Sequence, residues 1–149
     1  YNAAISACEK GGQWERALGM LKEACAHHLA PNVISYNTMI SACEKCEQWE
    51  RASGILAQML GKRSSTEADV LSFSATISAC EKCGEWEHAL SFLSEMGSSH
   101  FEPGVITYNA AISSCEKGKQ PERALELIQC MQQQGLTPEL ITYGAAISA

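Results

Sequence analysis

The cysteines are the first residues in this chain whose type and spacing could do chemistry. Eight are present, and four of them form two Cys-x-x-Cys pairs, Cys43 with Cys46 and Cys80 with Cys83. Two such pairs are typical of a zinc site, because two thiolates at this spacing can reach one tetrahedral ion. A redox-active dithiol is the other chemistry that the spacing allows.

A second set of polar residues suits nucleic-acid recognition. An Asn or Ser stands directly after an aromatic residue, and a lysine follows eight residues later. The first members are Asn2, Asn37, Ser74 and Asn109, and the lysines are Lys10, Lys45, Lys82 and Lys117. Amides can hydrogen-bond base edges, and lysines neutralise phosphates. At about 100° per helical residue, each polar residue and its lysine share one stripe.

The same stripe also has a plainer interpretation. Each lysine follows a glutamate, so neighbouring copies could pair Glu with Lys and leave a solvated face with little positive field. The Asn residues could simply be polar residues that open a helix. The net charge of −6 puts a nucleic-acid binder at a disadvantage, because phosphate neutralisation supplies much of the affinity. The residues alone leave both interpretations open.

These residues recur because the chain is a tandem repeat. Copies begin at Tyr1, Tyr36, Phe73, Tyr108 and Tyr143, which are 35, 37, 35 and 35 residues apart. The expected units are repeat 1 (residues 1–35, incomplete at its start), repeat 2 (36–72, with a two-residue insertion), repeat 3 (73–107), repeat 4 (108–142) and the start of repeat 5 (143–149). We expect the chain to be part of a longer array, because both ends fall inside a repeat.

Each copy has the pattern of two helices. Apolar residues follow the aromatic residue at i+3, i+4 and i+7, and a second apolar stripe begins at Trp14 or its equivalents. Ser35, Ser72, Thr107 and Thr142 stand just before the aromatic residues, and we expect them to be N-caps. One hairpin cannot bury both stripes alone. The sequence therefore predicts an all-α solenoid of stacked helix-turn-helix repeats.

The repeat changes the interpretation of the cysteines. Cys8, Cys43, Cys80 and Cys115 hold one place in the first apolar stripe. In repeats 1 and 4 the partner place holds Gly11 or Gly118, so a metal pair is not a property of the repeat. We therefore expect these cysteines to be small core residues and no metal to bind. Cys46 and Cys83 remain unexplained. Trp14, Trp49 and Trp86 could stack bases, but packing between hairpins is the expected role.

The 35-residue period, the Tyr-Asn opening, Glu-Arg-Ala-Leu in the second helix and the Pro-x-x-x-(Ser/Thr)-Tyr junction resemble the pentatricopeptide repeat family. The resemblance covers essentially the whole chain. It implies a right-handed α-solenoid whose first helices line a concave groove. It also implies binding of single-stranded RNA with one nucleotide per repeat.

The resemblance further implies roles for particular residues. The residue after the aromatic and the last residue of the repeat together select the base: Asn2 with Asn32, Asn37 with Asp69, Ser74 with Gly104, and Asn109 with Glu139. The first pair is similar to a cytosine reader and the second to a uracil reader, whereas Gly104 and Glu139 depart from the usual combinations. Ile34, Leu71, Ile106 and Ile141 would sandwich the bases, and Lys10, Lys45, Lys82 and Lys117 would contact phosphates.

The resulting hypothesis is sequence-specific binding of single-stranded RNA in organellar RNA processing, stability or translation, in a chloroplast or mitochondrion by family analogy. One alternative is a protein-binding solenoid, which the acidic total favours. Another is an array that directs an RNA-processing enzyme. We expect no catalysis, no cofactor and no membrane span, because no nucleophile–base pair, phosphate loop or long apolar run stands out. No targeting signal is visible.

Overall fold

The computed structural model describes residues 2–27, 31–61 and 67–149, which form nine α-helices and no strand. The helices are α1 (Asn2–Lys10), α2 (Trp14–Ala26), α3 (Val33–Lys45), α4 (Trp49–Leu60), α5 (Val70–Cys83), α6 (Trp86–Ser98), α7 (Val105–Lys117), α8 (Pro121–Gln133) and α9 (Leu140–Ser148). Tyr1 and residues 62–66 of the inserted segment lie outside the described residues. Among the described helices, none is long and apolar enough to cross a bilayer.

The helices pack as hairpins in two layers. The pairs α1/α2, α3/α4, α5/α6 and α7/α8 are joined by turns of two or three residues, which makes their helices antiparallel neighbours. Each odd-numbered helix also packs on the next odd-numbered helix, whereas the backbones of even-numbered helices approach only odd-numbered ones within the described chain. The odd-numbered helices are therefore the closely spaced inner layer and line the concave side. This confirms the predicted α-solenoid.

The apolar stripes form the core, as predicted. Met39, Ile40 and Cys43 of α3 are fully buried, and the equivalent residues of α5 and α7 are buried with them. Burial raises the pKa of the Cys43 thiol to about 11, of Cys80 to about 12 and of Cys115 to about 11. These thiols stay protonated at neutral pH, which makes them poor nucleophiles.

The N-caps differ from the prediction. Helices α3, α5, α7 and α9 are capped by Asn32, Asp69, Gly104 and Glu139. Asn32 Oδ1 accepts the Ser35 N–H at 3.0 Å, and Asp69 Oδ1 accepts the Ser72 N–H at 2.9 Å. The prediction that Ser35, Ser72, Thr107 and Thr142 are the caps was therefore wrong. Each is the third residue of its helix, because the helix already begins two residues earlier.

Contacts between hairpins explain the residues at the turns. The Cys46 thiol lies 3.3 Å from the Gly12 carbonyl oxygen, and the Cys83 thiol lies 3.2 Å from that of Glu47. Each thiol thus donates a hydrogen bond to the turn of the preceding hairpin. At Gly118 a side chain has no room, because a Cβ would overlap the Trp86 ring. The second cysteine of each Cys-x-x-Cys pair therefore has a structural contact.

The tryptophans also pack between hairpins. The Trp49 and His88 ring centroids are 4.3 Å apart, and the Arg51 guanidinium lies 5.8 Å from the Trp14 ring centroid. Each contact joins a second helix to the next second helix at its first turn, through side chains alone. The tryptophans thus have the packing role that the sequence favoured.

Candidate nucleic-acid interface

An exposed apolar residue occupies the second position of every inner helix from α3 onward. The exposed fractions are 61% for Ile34, 66% for Leu71, 82% for Ile106 and 73% for Ile141. Single exposed apolar residues are common on protein surfaces, but these recur at one place per repeat. Such a column offers a flat aromatic ring an apolar surface at each step of the solenoid.

The predicted base-reading pair of repeat 2 is in direct contact. Asn37 Nδ2 donates to Asp69 Oδ1 at 3.1 Å and lies 3.2 Å from Oδ2, although 32 residues separate the two in sequence. Ser72 Oγ lies 2.6 Å from Asn37 Oδ1. All three side chains sit where α3 meets the first turn of α5. The helix start that holds Asp69 therefore also places its carboxylate beside Asn37.

Repeats 3 and 4 place their reading residues in the same way, with different partners. Ser74 Oγ lies 2.7 Å from Thr107 Oγ1, and Thr142 Oγ1 donates to Asn109 Oδ1 at 2.7 Å. Gly104 leaves open space where Asp69 has its carboxylate. Glu139 is exposed at the start of α9.

In repeat 1, the Asn2 side chain lies outside the described residues, so the structure gives no contact for the Asn2–Asn32 pair. Asn32 itself is exposed and caps α3. Asn32 is the N-cap residue of α3, as Asp69 is the N-cap residue of α5.

The lysine column is linked to glutamates of the preceding repeat. Lys82 Nζ lies 3.0 Å from Glu44 Oε1, and Lys117 Nζ lies 2.7 Å from Glu81 Oε1. Lys117 Nζ also donates to the Glu81 carbonyl oxygen at 2.9 Å. Among the described side chains, the pairing between copies that the sequence allowed thus exists at the α3/α5 and α5/α7 interfaces. Lys10 and Lys45 are exposed.

Serines complete these ion pairs. Ser78 Oγ donates to Glu44 Oε1 at 3.0 Å, and Ser113 Oγ donates to Glu81 Oε1 at 3.1 Å. The glutamates are more buried than their lysines, with side-chain exposures of 21% and 19% against 36% and 43%. Each lysine therefore remains accessible to a second anion while its carboxylate partner is held in place.

The arrangement can bind an extended polar chain that carries flat rings. In α3, α5 and α7 an amide or hydroxyl side chain lies toward the N-terminal end of the helix, and a lysine lies toward the C-terminal end, about 12 Å away at the usual helical rise. Among the described residues, no cluster of three or more His, Cys, Asp or Glu side chains could hold a metal ion.

A solenoid of helical hairpins with these periodic columns defines a helical-repeat protein that presents one set of groove residues per repeat. The chain belongs to the PPR (pentatricopeptide repeat) family. The model of the PPR repeat family matches residues 1–45 and 68–117, and the model of the PPR repeat matches residues 34–64 and 106–136. The resemblance drawn from the sequence is thereby confirmed.

Solved structures share the fold. The pentatricopeptide repeat protein PPR10 from maize is 27% identical with a TM-score of 0.88, and PPR10 in complex with an 18-nt psaJ RNA element matches with a TM-score of 0.81. Both matches cover 98% of this chain but only 21% of PPR10, so the chain spans about a fifth of that protein.

A more distant match supports the fold alone. The PPR domain of Arabidopsis thaliana protein-only RNase P 1 in complex with tRNA is 18% identical with a TM-score of 0.83, over 97% of this chain and 76% of that domain. The comparison with curated proteins finds no match.

The hydroxyl residues that contact Asn37, Ser74 and Asn109 were missed as members of the site. Their recurrence before each aromatic residue was visible in the sequence, but it was interpreted as helix capping. The partners 33 to 35 residues away become apparent only when the hairpins are stacked.

Proposed function

We propose that this chain binds single-stranded RNA in the groove of its inner helices, with one nucleotide facing each repeat. The base-reading residues would be Asn2 with Asn32, Asn37 with Asp69, Ser74 with Gly104, and Asn109 with Glu139. Ile34, Leu71, Ile106 and Ile141 would sandwich the bases, and the lysine column would contact phosphates. Repeat 1 would select cytosine and repeat 2 uracil.

The observation that carries the proposal is the contact between Asn37 and Asp69, next to the exposed Leu71. Two hydrogen-bonding side chains from different helices form one polar edge beside an apolar surface. A base needs both elements, because its ring is apolar and its edge carries donors and acceptors. The structure of PPR10 with an 18-nt psaJ RNA element, in which PPR10 is 27% identical to this chain, supports the proposal.

Binding should be tested with fluorescently labelled RNA and increasing salt. Four phosphate contacts predict a log–log slope near about −3, at roughly −0.7 for each contact to a single strand. Duplex RNA should bind far more weakly, because its bases are not splayed out for reading. Lys10→Gln with Lys45→Gln should reduce the slope by about 1.4. Lys22→Gln with Lys119→Gln changes the net charge equally outside the column, so it should leave the slope unchanged.

A protein-binding scaffold is the second candidate, and the ion pairs at Lys82 and Lys117 favour it. These pairs lower the positive field of the groove, and the net charge is −6. A slope near zero, or equal affinity for single-stranded and duplex RNA, would favour this candidate and contradict RNA binding.

The biological setting belongs to the same proposal. We infer a role in organellar RNA processing, stability or translation, with the chain acting as a binding array and not as a catalyst. The similarity to the PPR domain of an RNase P is equally consistent with an array that directs an RNA-processing enzyme. Fractionation of cells into chloroplasts and mitochondria, followed by sequencing of RNA crosslinked to the protein, tests the setting directly.

A further inference from the structure

A buried hydroxyl group occupies the third position of each inner helix from α3 onward. The exposed fractions are 3% for Ser35, 0% for Ser72, 3% for Thr107 and 1% for Thr142. Buried hydroxyl groups need hydrogen-bond partners. Three of these residues meet the predicted base-reading residue of the preceding inner helix: Ser72 meets Asn37, Thr107 meets Ser74, and Thr142 meets Asn109.

In repeat 2, the partners of Asn37 determine which way its amide faces. Asp69 as a carboxylate can only accept, so the group that faces it must be the Asn37 NH2. The Asn37 oxygen then faces Ser72 Oγ at 2.6 Å. Ser72 Oγ accepts the Asp69 N–H at 3.2 Å, and its own proton has two acceptors, Asn37 Oδ1 at 2.6 Å and Asp69 Oδ1 at 2.9 Å, of which Asn37 is the nearer. The carboxylate and the hydroxyl group thus select the same amide orientation from opposite sides.

In repeat 4, the hydroxyl group alone orients the amide. Thr142 Oγ1 accepts the Glu139 N–H at 3.1 Å and donates its proton to Asn109 Oδ1 at 2.7 Å. Within the part of the chain that the structure describes, the Asn109 amide forms no hydrogen bond to Glu139. The Asn109 NH2 is therefore the group left to meet a ligand, and Thr142 is the reason.

We propose that Ser72, Thr107 and Thr142 are positioning residues that set the base selectivity of the base-reading residue on the preceding inner helix. Ser72 and Thr142 fix which hydrogen-bonding group of Asn37 or Asn109 faces the base, and Thr107 holds the Ser74 hydroxyl group through a contact in which either oxygen can donate. This inference rests on the proposed RNA binding. It makes the reading unit a set of side chains that two successive inner helices supply. It also predicts that losing the hydroxyl group has a larger effect on Asn109 than on Asn37. Asn37 is oriented by Asp69 as well as by Ser72, whereas Thr142 is the one orienting partner of Asn109 among the described residues.

The test compares base preference at repeat 4 in four single-stranded RNAs that differ only at the nucleotide facing Asn109. The cytosine and uracil proposed for repeats 1 and 2 fix the register, and both strand polarities are included. Thr142→Val keeps the shape of the side chain and removes the hydroxyl group. We expect the preference of the wild type, about tenfold for one good base contact, to collapse toward equal binding of all four RNAs.

Three variants separate positioning from a general loss of structure. Thr142→Ser restores the hydroxyl group and should restore the preference. Thr76→Val removes another fully buried threonine hydroxyl, which donates to the Ser72 carbonyl oxygen at 2.8 Å, and should leave the preference at repeat 4 unchanged. Ser72→Ala should weaken the preference at repeat 2 less than Thr142→Val does at repeat 4, since Asp69 still orients Asn37.

The outcomes distinguish the two proposals. If the wild type binds no RNA, the proposed function fails and this inference fails with it. If the wild type discriminates among the four RNAs and Thr142→Val discriminates equally well, only the inference is overturned. If Thr142→Val does not fold, NMR of the RNA-free wild type decides. The inference requires the Asn109 NH2 group to face the groove and not Thr142. It is overturned if the NH2 protons show stronger NOEs to the Thr142 methyl group than to groove residues.

Discussion

Repeats 2 and 4 carry the same asparagine after the same aromatic residue but hold it differently. Asn37 is fixed between the Asp69 carboxylate and the Ser72 hydroxyl group, whereas Asn109 is fixed by the Thr142 hydroxyl group. The difference begins at the residue before each inner helix, where Asp is replaced by the longer Glu139. The comparison teaches that the capping residue has two roles, since it starts one helix and completes the polar edge of the previous one.

The largest expected effect comes from Asp69→Asn. Uracil offers an N–H donor at N3, which a carboxylate accepts, whereas cytosine offers an acceptor there and needs a donor. We expect repeat 2 to change its preference from uracil to cytosine, by on the order of 1–3 kcal/mol. The fold should persist, because Asn32 already caps α3 through the same contact. The measurement is competition between two RNAs that differ at that nucleotide.

Glu139→Gln is the matched change in repeat 4. Because the structure has no hydrogen bond between Glu139 and Asn109, we expect the base preference of this repeat to stay as it is. If Asp69→Asn leaves the preference of repeat 2 unaltered, or if Glu139→Gln shifts that of repeat 4 by as much, the contrast between the two repeats is wrong.

The turns of repeats 2 and 4 differ as well, and Gly118→Ala tests that difference. A Cβ at residue 118 would overlap the Trp86 ring, whereas the equivalent Cys46 uses its side chain to bond the preceding turn. We expect Gly118→Ala to lower the free energy of unfolding by about 1–3 kcal/mol, as overpacking usually does. Urea unfolding followed by circular dichroism gives the value.

Gly11→Ala is the control for this change. A Cβ at residue 11 would have its nearest contact at 3.5 Å, to the Ala7 carbonyl oxygen, so the added methyl group fits. Equal loss of stability in both variants would mean that the Trp86 contact does not explain the glycine.

The smallest expected effect concerns the glutamates of the groove. Glu44 pairs with Lys82, whereas Glu116 of repeat 4 forms no ion pair among the described residues. Glu44→Gln should free Lys82 and raise RNA affinity by up to about fivefold. This limit follows because an exposed ion pair contributes at most about 1 kcal/mol. Glu116→Gln alters the net charge equally without freeing a lysine. An equal gain from both variants, measured by RNA titration at constant salt, would assign the effect to net charge alone.

Much of the fold was predictable because its determinants are local. The stripe of Met39, Ile40 and Cys43 has helical spacing, and its burial follows from that spacing in repeats 2, 3 and 4. The 35-residue period also predicted stacking. The two helices of one hairpin cannot bury all of their apolar surface against each other, so neighbouring hairpins must cover the rest. The pairing of Lys82 with Glu44 was also foreseen, as one of two interpretations.

What could not be predicted depends on contacts between repeats. Ser72 before an aromatic residue fits an N-cap pattern, and nothing local distinguishes that role from its contact with Asn37. Cys46 resembled half of a metal pair until its thiol was seen to bond the Gly12 carbonyl oxygen. The absence of a side chain at Gly118 acquires a reason only when Trp86 is packed above it.

The two layers of the solenoid have a mechanical consequence. The inner helices touch one another from α1 to α9, whereas the backbones of the outer helices are spaced apart and meet their neighbours through side chains such as Trp49 and His88. A small rotation at each inner interface would therefore change the pitch of the whole superhelix without breaking an outer helix–helix interface. We therefore expect the flexibility of the array to depend mainly on the interfaces between the inner helices, which also carry the groove residues.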